Sequence, residues 1–120
     1  SETILVVEDD SAVRNFIIRI LTMNGYRVLH AGNGKEALAA AEKHRGPLQL
    51  AITDIVMPGI NGPDLAKKLK KQHPETRVLF ISGYTDQRVR DLVESEDASF
   101  MQKPFTPDEL TQRIRTLLDA

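Results

Sequence analysis

The chain has 120 residues, and its 16 Lys and Arg against 17 Asp and Glu give a formal net charge of −1 with the three histidines neutral. With 41% hydrophobic and 28% charged residues, the composition predicts one globular domain over residues 1–120, because chains of about 100–200 residues usually form one core. The balanced charge argues against nucleic acid or a membrane surface as a partner, and the absence of cysteine excludes disulfides and fits the cytoplasm.

Five short apolar runs alternate with stretches of helical period along the chain, and this alternation is typical of a parallel α/β sheet. The predicted strands are residues 4–7, 27–31, 48–53, 77–81 and 100–102. Most are apolar on both faces, as expected for strands that helices cover on both sides. Right-handed crossovers then predict a doubly wound sheet in the order 2-1-3-4-5, with its ligand crevice beyond the carboxyl ends of the strands.

The first two helices are predicted from apolar periodicity and capping residues. In the first helix, one buried stripe is expected, and Asn24 and Gly25 end the helix. Its members are Val13, Phe16, Ile17, Ile20 and Leu21. Asn33 followed three residues later by Glu36 predicts a capping box at the start of the second helix.

The remaining helices differ in how strongly they are indicated. Pro63 is expected at the first position of the third helix. A fourth helix over residues 85–94 has only three apolar residues, and we expect it to be short or mobile. Thr106, Pro107 and Glu109 together predict the start of the last helix by a capping box with proline at the first position.

Polar residues follow four of the five predicted strands at their carboxyl ends: Glu8 and Asp9, Asp54, Ser82, and Lys103. Because strands one and three are neighbours in the predicted order, the three carboxylates converge in one crevice. Carboxylates that lie close together repel one another, and a hard divalent cation bound through oxygen relieves the repulsion. Mg²⁺ fits such a site, since it takes a couple of carboxylates and a phosphoryl oxygen and keeps several waters.

A carboxylate can itself accept a phosphoryl group and form an aspartyl phosphate. Asp54 is the candidate acceptor because it stands alone at its strand end, whereas Glu8 and Asp9 are adjacent and suit a metal-binding pair. Lys103 and Ser82 supply a positive charge and a hydroxyl for the phosphoryl oxygens. Glu8 and Asp9 alone are explained equally well as solvated residues that cap the first helix; the combination with Asp54 and Lys103 favours the site.

At these residues the chain resembles the receiver domain of two-component response regulators over essentially its whole length. The matching segments are residues 5–10, 53–59, 81–84 and 103–105, in the family's order and each at a strand end. The resemblance implies the flavodoxin-like (βα)5 receiver fold and transfer of a phosphoryl group from a phosphohistidine to Asp54. It also implies direct Mg²⁺ ligation by Asp9, Asp54 and the Val56 carbonyl, with Glu8 acting largely through metal-bound water and Lys103 binding the phosphoryl group.

The resemblance further implies how the signal enters and leaves the domain. Ser82 would be the switch hydroxyl, and Phe100, where the family often has Tyr, would act through packing alone. Together they would switch the face formed by the fourth helix, the fifth strand and the fifth helix. Val13, Pro104 and Phe105 are the expected docking residues for the helices of a histidine kinase or phosphotransfer domain. A cis peptide bond before Pro104 is also implied.

One departure from the family concerns the residues around the phosphoryl group. Val56, two residues after Asp54, is apolar and cannot orient a hydrolytic water, and Tyr84, two residues after Ser82, can cover the phosphoryl group. We therefore expect slow self-dephosphorylation.

Several functions remain open beside the leading one. The amino-acid sequence of residues 82–84 and 102–110 resembles that of receivers attached to hybrid sensor histidine kinases. The chain begins with Ser1 and not with Met, which suggests a piece of a longer protein. A stand-alone receiver and the receiver of a transcriptional regulator are the alternatives, and we expect a phosphoacceptor rather than an enzyme. A phosphohydrolase with an aspartyl nucleophile is less favoured, since such enzymes generally have a second acid where Val56 stands. A flavin-binding module and a degenerate scaffold are also disfavoured.

Overall fold

The computed structural model describes residues 2–83 and 99–120, so Tyr84 and the predicted fourth helix lie outside the described residues. Five parallel strands form one sheet in the order β2-β1-β3-β4-β5, which confirms the predicted doubly wound arrangement. The strands are β1 (Thr3–Val7), β2 (Arg27–Ala31), β3 (Leu50–Asp54), β4 (Arg77–Ser82) and β5 (Ser99–Gln102).

Strand β3 begins two residues later than predicted, although Leu48 is fully buried. The reason lies in side chains from a later loop. The Leu48 amide donates to Glu75 Oε2 at 3.3 Å, and its carbonyl accepts from Thr76 Oγ1 at 2.7 Å. The backbone hydrogen bonds of Leu48 are therefore made outside the sheet. At its other end β3 is one residue longer than predicted, so that Asp54 is the last residue of the strand.

Four helices are described: α1 (Ser11–Met23), α2 (Gly34–Lys43), α3 (Gly62–Gln72) and the C-terminal helix (Pro107–Leu118). Each begins after a residue whose side chain accepts an amide hydrogen bond from the first turn, which satisfies a donor that lacks a partner within the helix. These capping residues are Asp10, Asn33, Asn61 and Thr106. Within residues 2–83 and 99–120, no helix is both long and apolar enough to cross a membrane.

Two details of the predicted helix starts differ. Thr106 and Glu109 form both halves of the capping box, as predicted. At α2, Asn33 caps the helix, but the Glu36 carboxylate accepts from the amide of Gly32 at 3.3 Å, outside the predicted box. Pro63 is the second residue of α3 and not the first, because Gly62 already begins the helix.

The helices cover the sheet on both faces. Ile4 and Val6 of β1 pack with α1 and the C-terminal helix, whereas Leu5 and Val7 pack with α2 and α3. This alternation follows from the two-residue repeat of a strand, which points successive side chains to opposite faces. The apolar core thus surrounds β1 and β3, and Glu8, Asp9 and Asp54 lie where these strands end.

The prediction for Phe16 was wrong. Ile17, Ile20 and Leu21 of the α1 stripe are buried, but Phe16 is 41% exposed. Phe16 lies at the flank of the stripe, where its ring meets Phe105 with the centroids 6.3 Å apart.

Candidate functional site

Three carboxylates meet at the carboxyl edge of the sheet. Val7 of β1 lies opposite Thr53 of β3 in the register, so Glu8 and Asp54 leave neighbouring strands at the same level. Ligand oxygens of Glu8, Asp9 and Asp54 all lie within 4.8 Å of one another. In the described part of the chain, this is the one group of three or more His, Asp or Glu side chains with such spacing. The predicted convergence of these residues is confirmed.

Lys103 lies between two of the three carboxylates. Its Nζ donates to Glu8 Oε1 at 2.5 Å and to Asp54 Oδ2 at 3.2 Å. The Glu8 side chain is fully buried, and the Asp54 side chain is only 10% exposed. The Lys103 amide donates to the Ser82 carbonyl at 2.9 Å, which joins the end of β5 to the end of β4. The peptide bond from Lys103 to Pro104 is cis, as the resemblance implied.

Burial and the neighbouring charged groups have opposing effects on the pKa values of Glu8 and Lys103. Burial is the main reason that the pKa of Glu8 rises to about 7, and the charge of Asp54 raises it further, while the hydrogen bond from Lys103 acts in the opposite direction. Burial alone would lower the pKa of Lys103, but its hydrogen bond to Glu8 and the charge of Asp54 outweigh burial and raise it. Lys103 therefore stays a cation, held by hydrogen bonds to two acids.

Asp54 is held by the residues on either side of it in the chain as well as by Lys103. Its Oδ1 accepts from the amide of Ile55 at 2.8 Å, and its carbonyl accepts from Thr53 Oγ1 at 2.9 Å. A Cβ at Gly62 would overlap the Asp54 carbonyl, so only glycine lets the start of α3 approach this closely. The side chain is thus fixed with one oxygen on an amide and the other facing Lys103.

The other predicted site residues lie at different distances from the acidic cluster. Ser82 is buried as the last residue of β4, one position beyond the residue paired with Asp54. Val56, in the turn after β3, is 47% exposed. Phe100 is half-buried in the middle of β5, where it packs on the cluster of Ile55, Ala66, Val78 and Phe80.

The predicted docking residues form an apolar rim next to Lys103. Pro104 is exposed, and Val13 and Phe105 are half-buried against the core cluster that α1 contributes to. Phe16 adds its exposed ring to this rim, which we call the aromatic rim (Val13, Phe16, Pro104 and Phe105). The exposure of Phe16 was not predicted, because helical periodicity alone does not show which residues at the edge of an apolar stripe remain in contact with solvent.

The donor set fits Mg²⁺. All three side chains offer carboxylate oxygen, the ligand atom that hard divalent cations prefer. Asp9 is exposed while Glu8 and Asp54 are buried, so the cluster is open to solvent on one side. Mg²⁺ usually keeps several waters, and an open cluster of a few carboxylates suits that preference.

Comparison with known proteins identifies the family. The response regulator receiver domain matches residues 4–115. The sensor kinase CckA of Brucella abortus (strain 2308) is 38% identical over 120 residues, which are 99% of this chain but 13% of that protein. The response regulator receiver protein CpdR of the same organism is 34% identical, over 98% of this chain and 97% of that protein. The solved receiver domain from the hybrid histidine kinase CckA has a TM-score of 0.83 and 40% identity, over 97% of this chain and 98% of that one.

Proposed function

This chain belongs to the response regulator receiver family, and we propose that Asp54 is its phosphoacceptor, with Mg²⁺ bound by the carboxylate cluster. As a receiver domain it is part of a two-component system and acts as a signalling phosphoacceptor rather than as a classical enzyme. The observation that carries the assignment of Asp54 is its buried carboxylate, with Oδ1 on the Ile55 amide and Oδ2 facing Lys103. We take residues 1–120 as one receiver unit that acts in the cytoplasm.

In the proposed transfer, a carboxylate oxygen of Asp54 attacks the phosphorus of a phosphohistidine. A new O–P bond forms as the N–P bond breaks, and the imidazole nitrogen keeps the electron pair of the broken bond. Oδ2 is the oxygen suited to this role, because Oδ1 is engaged by the Ile55 amide. Lys103 then exchanges its contact with Oδ2 for one with a phosphoryl oxygen, which places a positive charge where negative charge accumulates.

Asp9, Asp54 and the Val56 carbonyl are the proposed direct ligands of Mg²⁺, with Glu8 acting through water. The bound ion supplies further neutralisation of the equatorial phosphoryl oxygens. Glu8, which Lys103 holds at 2.5 Å, keeps this lysine beside Asp54.

The proposed readout runs through Ser82 and Phe100. Ser82 lies at the crevice edge of β4, and Phe100 lies on the next strand, where it packs on the apolar cluster that includes Ile55, the residue after Asp54. A hydrogen bond from the Ser82 hydroxyl to the phosphoryl group would shift the packing of Phe100, and Phe100 carries no hydroxyl of its own. The fourth helix of the proposed switch face lies outside the described residues.

The proposed partner is a histidine kinase or a phosphotransfer domain, and the aromatic rim is its docking surface. A phosphohistidine must reach Asp54, so its carrier has to contact the surface next to Lys103, where Pro104 and Phe105 lie. Phenylalanine and the other aromatic residues are enriched in protein–protein interfaces relative to the rest of the surface. The similarity to CckA supports an origin in a hybrid sensor histidine kinase; the similarity to CpdR is what a stand-alone receiver would show.

Acetyl phosphate tests this function without a partner. We expect the wild-type chain to gain one phosphoryl group, detected by intact mass, in the presence of Mg²⁺ and not in the presence of EDTA. Asp54→Asn should stay unmodified, while Asp64→Asn, the same change on the exposed start of α3, should be modified like the wild type. Modification of Asp54→Asn, or sustained release of many phosphate equivalents by the wild type, would contradict the proposal.

A further inference from the structure

Arg14 links helix α1 to the peptide bond between the two acids that follow β1. Its Nη1 donates to the carbonyl oxygen of Glu8 at 2.7 Å, reaching back six residues in a half-buried position. That carbonyl belongs to the peptide group that joins Glu8 to Asp9. The hydrogen bond therefore restricts the orientation of the one peptide plane on which the spacing of these two carboxylates depends.

The preceding peptide group, which joins Val7 to Glu8, is held by strand β2. The amide of Glu8 donates to the carbonyl of Ala31 at 3.2 Å. The next residue, Gly32, lies against the guanidinium: a Cβ there would be 3.4 Å from Arg14 Nη1, an ordinary contact distance, so only a side chain larger than a methyl group would press on it. Gly32 does not have a positive φ, so a side chain at this position would act through its bulk and not through backbone strain.

We propose that Arg14 is a positioning residue for the metal site: its hydrogen bond to the Glu8 carbonyl sets the carboxylates of Glu8 and Asp9 for Mg²⁺. Ligand positions in metal sites are commonly fixed by such outer partners, whose loss typically costs about 10- to 100-fold in metal affinity. Arg14 holds the backbone between two ligands rather than a ligand side chain, so an effect of about tenfold is expected. This inference rests on the proposed function, because it concerns the same Mg²⁺ site.

Charge and geometry predict opposite effects of removing Arg14. As a cation bound to the backbone of Glu8, Arg14 repels Mg²⁺, so its removal would strengthen Mg²⁺ binding if charge were decisive. As a clamp on the Glu8 carbonyl, it orders the acids, so its removal would weaken binding. Arg14→Met removes both the charge and the donor but keeps an unbranched stem, and the sign of its effect therefore decides between the two.

The experiment is calorimetric titration of the metal-free full chain with Mg²⁺. We expect Arg14→Met to raise the Mg²⁺ dissociation constant about tenfold. Arg14→Lys, which keeps the charge and one flexible donor, should fall between Arg14→Met and the wild type. Arg19→Met is the matched control on the exposed face of the same helix and should bind like the wild type.

Substitutions of Gly32 test the same effect on Mg²⁺ affinity without changing Arg14 itself. Gly32→Leu should displace the guanidinium and weaken Mg²⁺ binding, whereas Gly32→Ala places its methyl at an ordinary contact distance and should change little. If Arg14→Met does not fold, Arg14→Lys and Gly32→Leu decide in its place. At saturating Mg²⁺, labelling of the variants by acetyl phosphate should return close to the wild-type rate.

Unchanged Mg²⁺ affinity in Arg14→Met together with a lower melting temperature would overturn the inference, because it would reduce Arg14 to a structural role. Tighter Mg²⁺ binding would overturn it in favour of charge repulsion. Both results leave the wild-type chain binding Mg²⁺ and accepting a phosphoryl group, so they are distinguishable from failure of the proposed function. A wild-type chain that does not bind Mg²⁺ would refute the metal site and this inference together.

Discussion

Replacing Lys103 by methionine should destabilise the metal-free protein, and Mg²⁺ should restore more stability to the variant than to the wild type. At an effective dielectric constant of about 20, two charges 3.2 Å apart, as for Lys103 and Asp54, attract by about 5 kcal/mol. The hydrogen bond from Lys103 to Glu8 adds to this attraction when Glu8 is ionised. Burying the ammonium group of Lys103 costs free energy that opposes this attraction, and Lys103→Met no longer has this cost.

The net loss follows from what Lys103→Met leaves behind. Removing one partner of a buried pair typically costs about 3–5 kcal/mol, and the 22% exposure of the Lys103 side chain places this case at about 3 kcal/mol. For a chain of this length that is a fall of about 10 °C in melting temperature. Mg²⁺ replaces the missing positive charge, so the stabilisation by a fixed Mg²⁺ concentration should be at least about 1 kcal/mol larger in the variant.

Thermal melts with and without Mg²⁺ provide the measurement. Lys68→Met, the same change on the exposed face of α3, should shift the free energy of unfolding by less than about 0.5 kcal/mol and leave the Mg²⁺ effect unchanged. Two results would show that Lys103 does not neutralise the charge of the carboxylate cluster. Lys103→Met could be as stable as the wild type in EDTA, or Mg²⁺ could fail to restore the stability that this variant loses.

Three further predictions follow from the site and its surroundings. Val56→Asn places a polar side chain at an exposed position beside Asp54 and should speed loss of the phosphoryl group about tenfold, measured by the decay of the labelled protein; an unchanged decay rate would argue against a role for Val56. Thr106→Ala removes the cap of the C-terminal helix and should cost about 1 kcal/mol in urea unfolding, so a change near zero would contradict the capping role. Phe16→Ala should raise the half-saturating concentration of a phosphohistidine donor about tenfold without affecting labelling by acetyl phosphate, while Met23→Ala, also exposed on α1, should do neither. A loss with both donors would show that Phe16 acts on the site and not on docking.

The sheet and the acidic cluster were predictable because each depends on local pattern. Apolar runs alternating with amphipathic stretches indicate parallel strands, and Asp54 and Lys103 are polar residues at the carboxyl ends of such runs. Once the strand order is known, these ends must meet at one edge, which brings the acids and the lysine together.

Other features depend on contacts that no local pattern records. The late start of β3 results from Glu75 and Thr76, which bind the backbone of Leu48 from 27 and 28 residues away. The ring contact of Phe16 is with Phe105, at the other end of the chain, and periodicity within α1 does not reveal it. The bond from Arg14 to the Glu8 carbonyl depends on a turn and on the space left at Gly32, so helical periodicity does not reveal it.

The identity of the phosphorylated residue is the most direct test of the account. Borohydride reduces an aspartyl phosphate to homoserine, so treatment of the protein labelled with acetyl phosphate and Mg²⁺, followed by peptide mass analysis, localises the acyl phosphate. We expect homoserine at position 54 and no reduced acidic residue elsewhere in the chain. Homoserine at position 9, 5-hydroxynorvaline (the product expected from a glutamyl phosphate) at position 8, or a phosphoryl group that resists borohydride would contradict it.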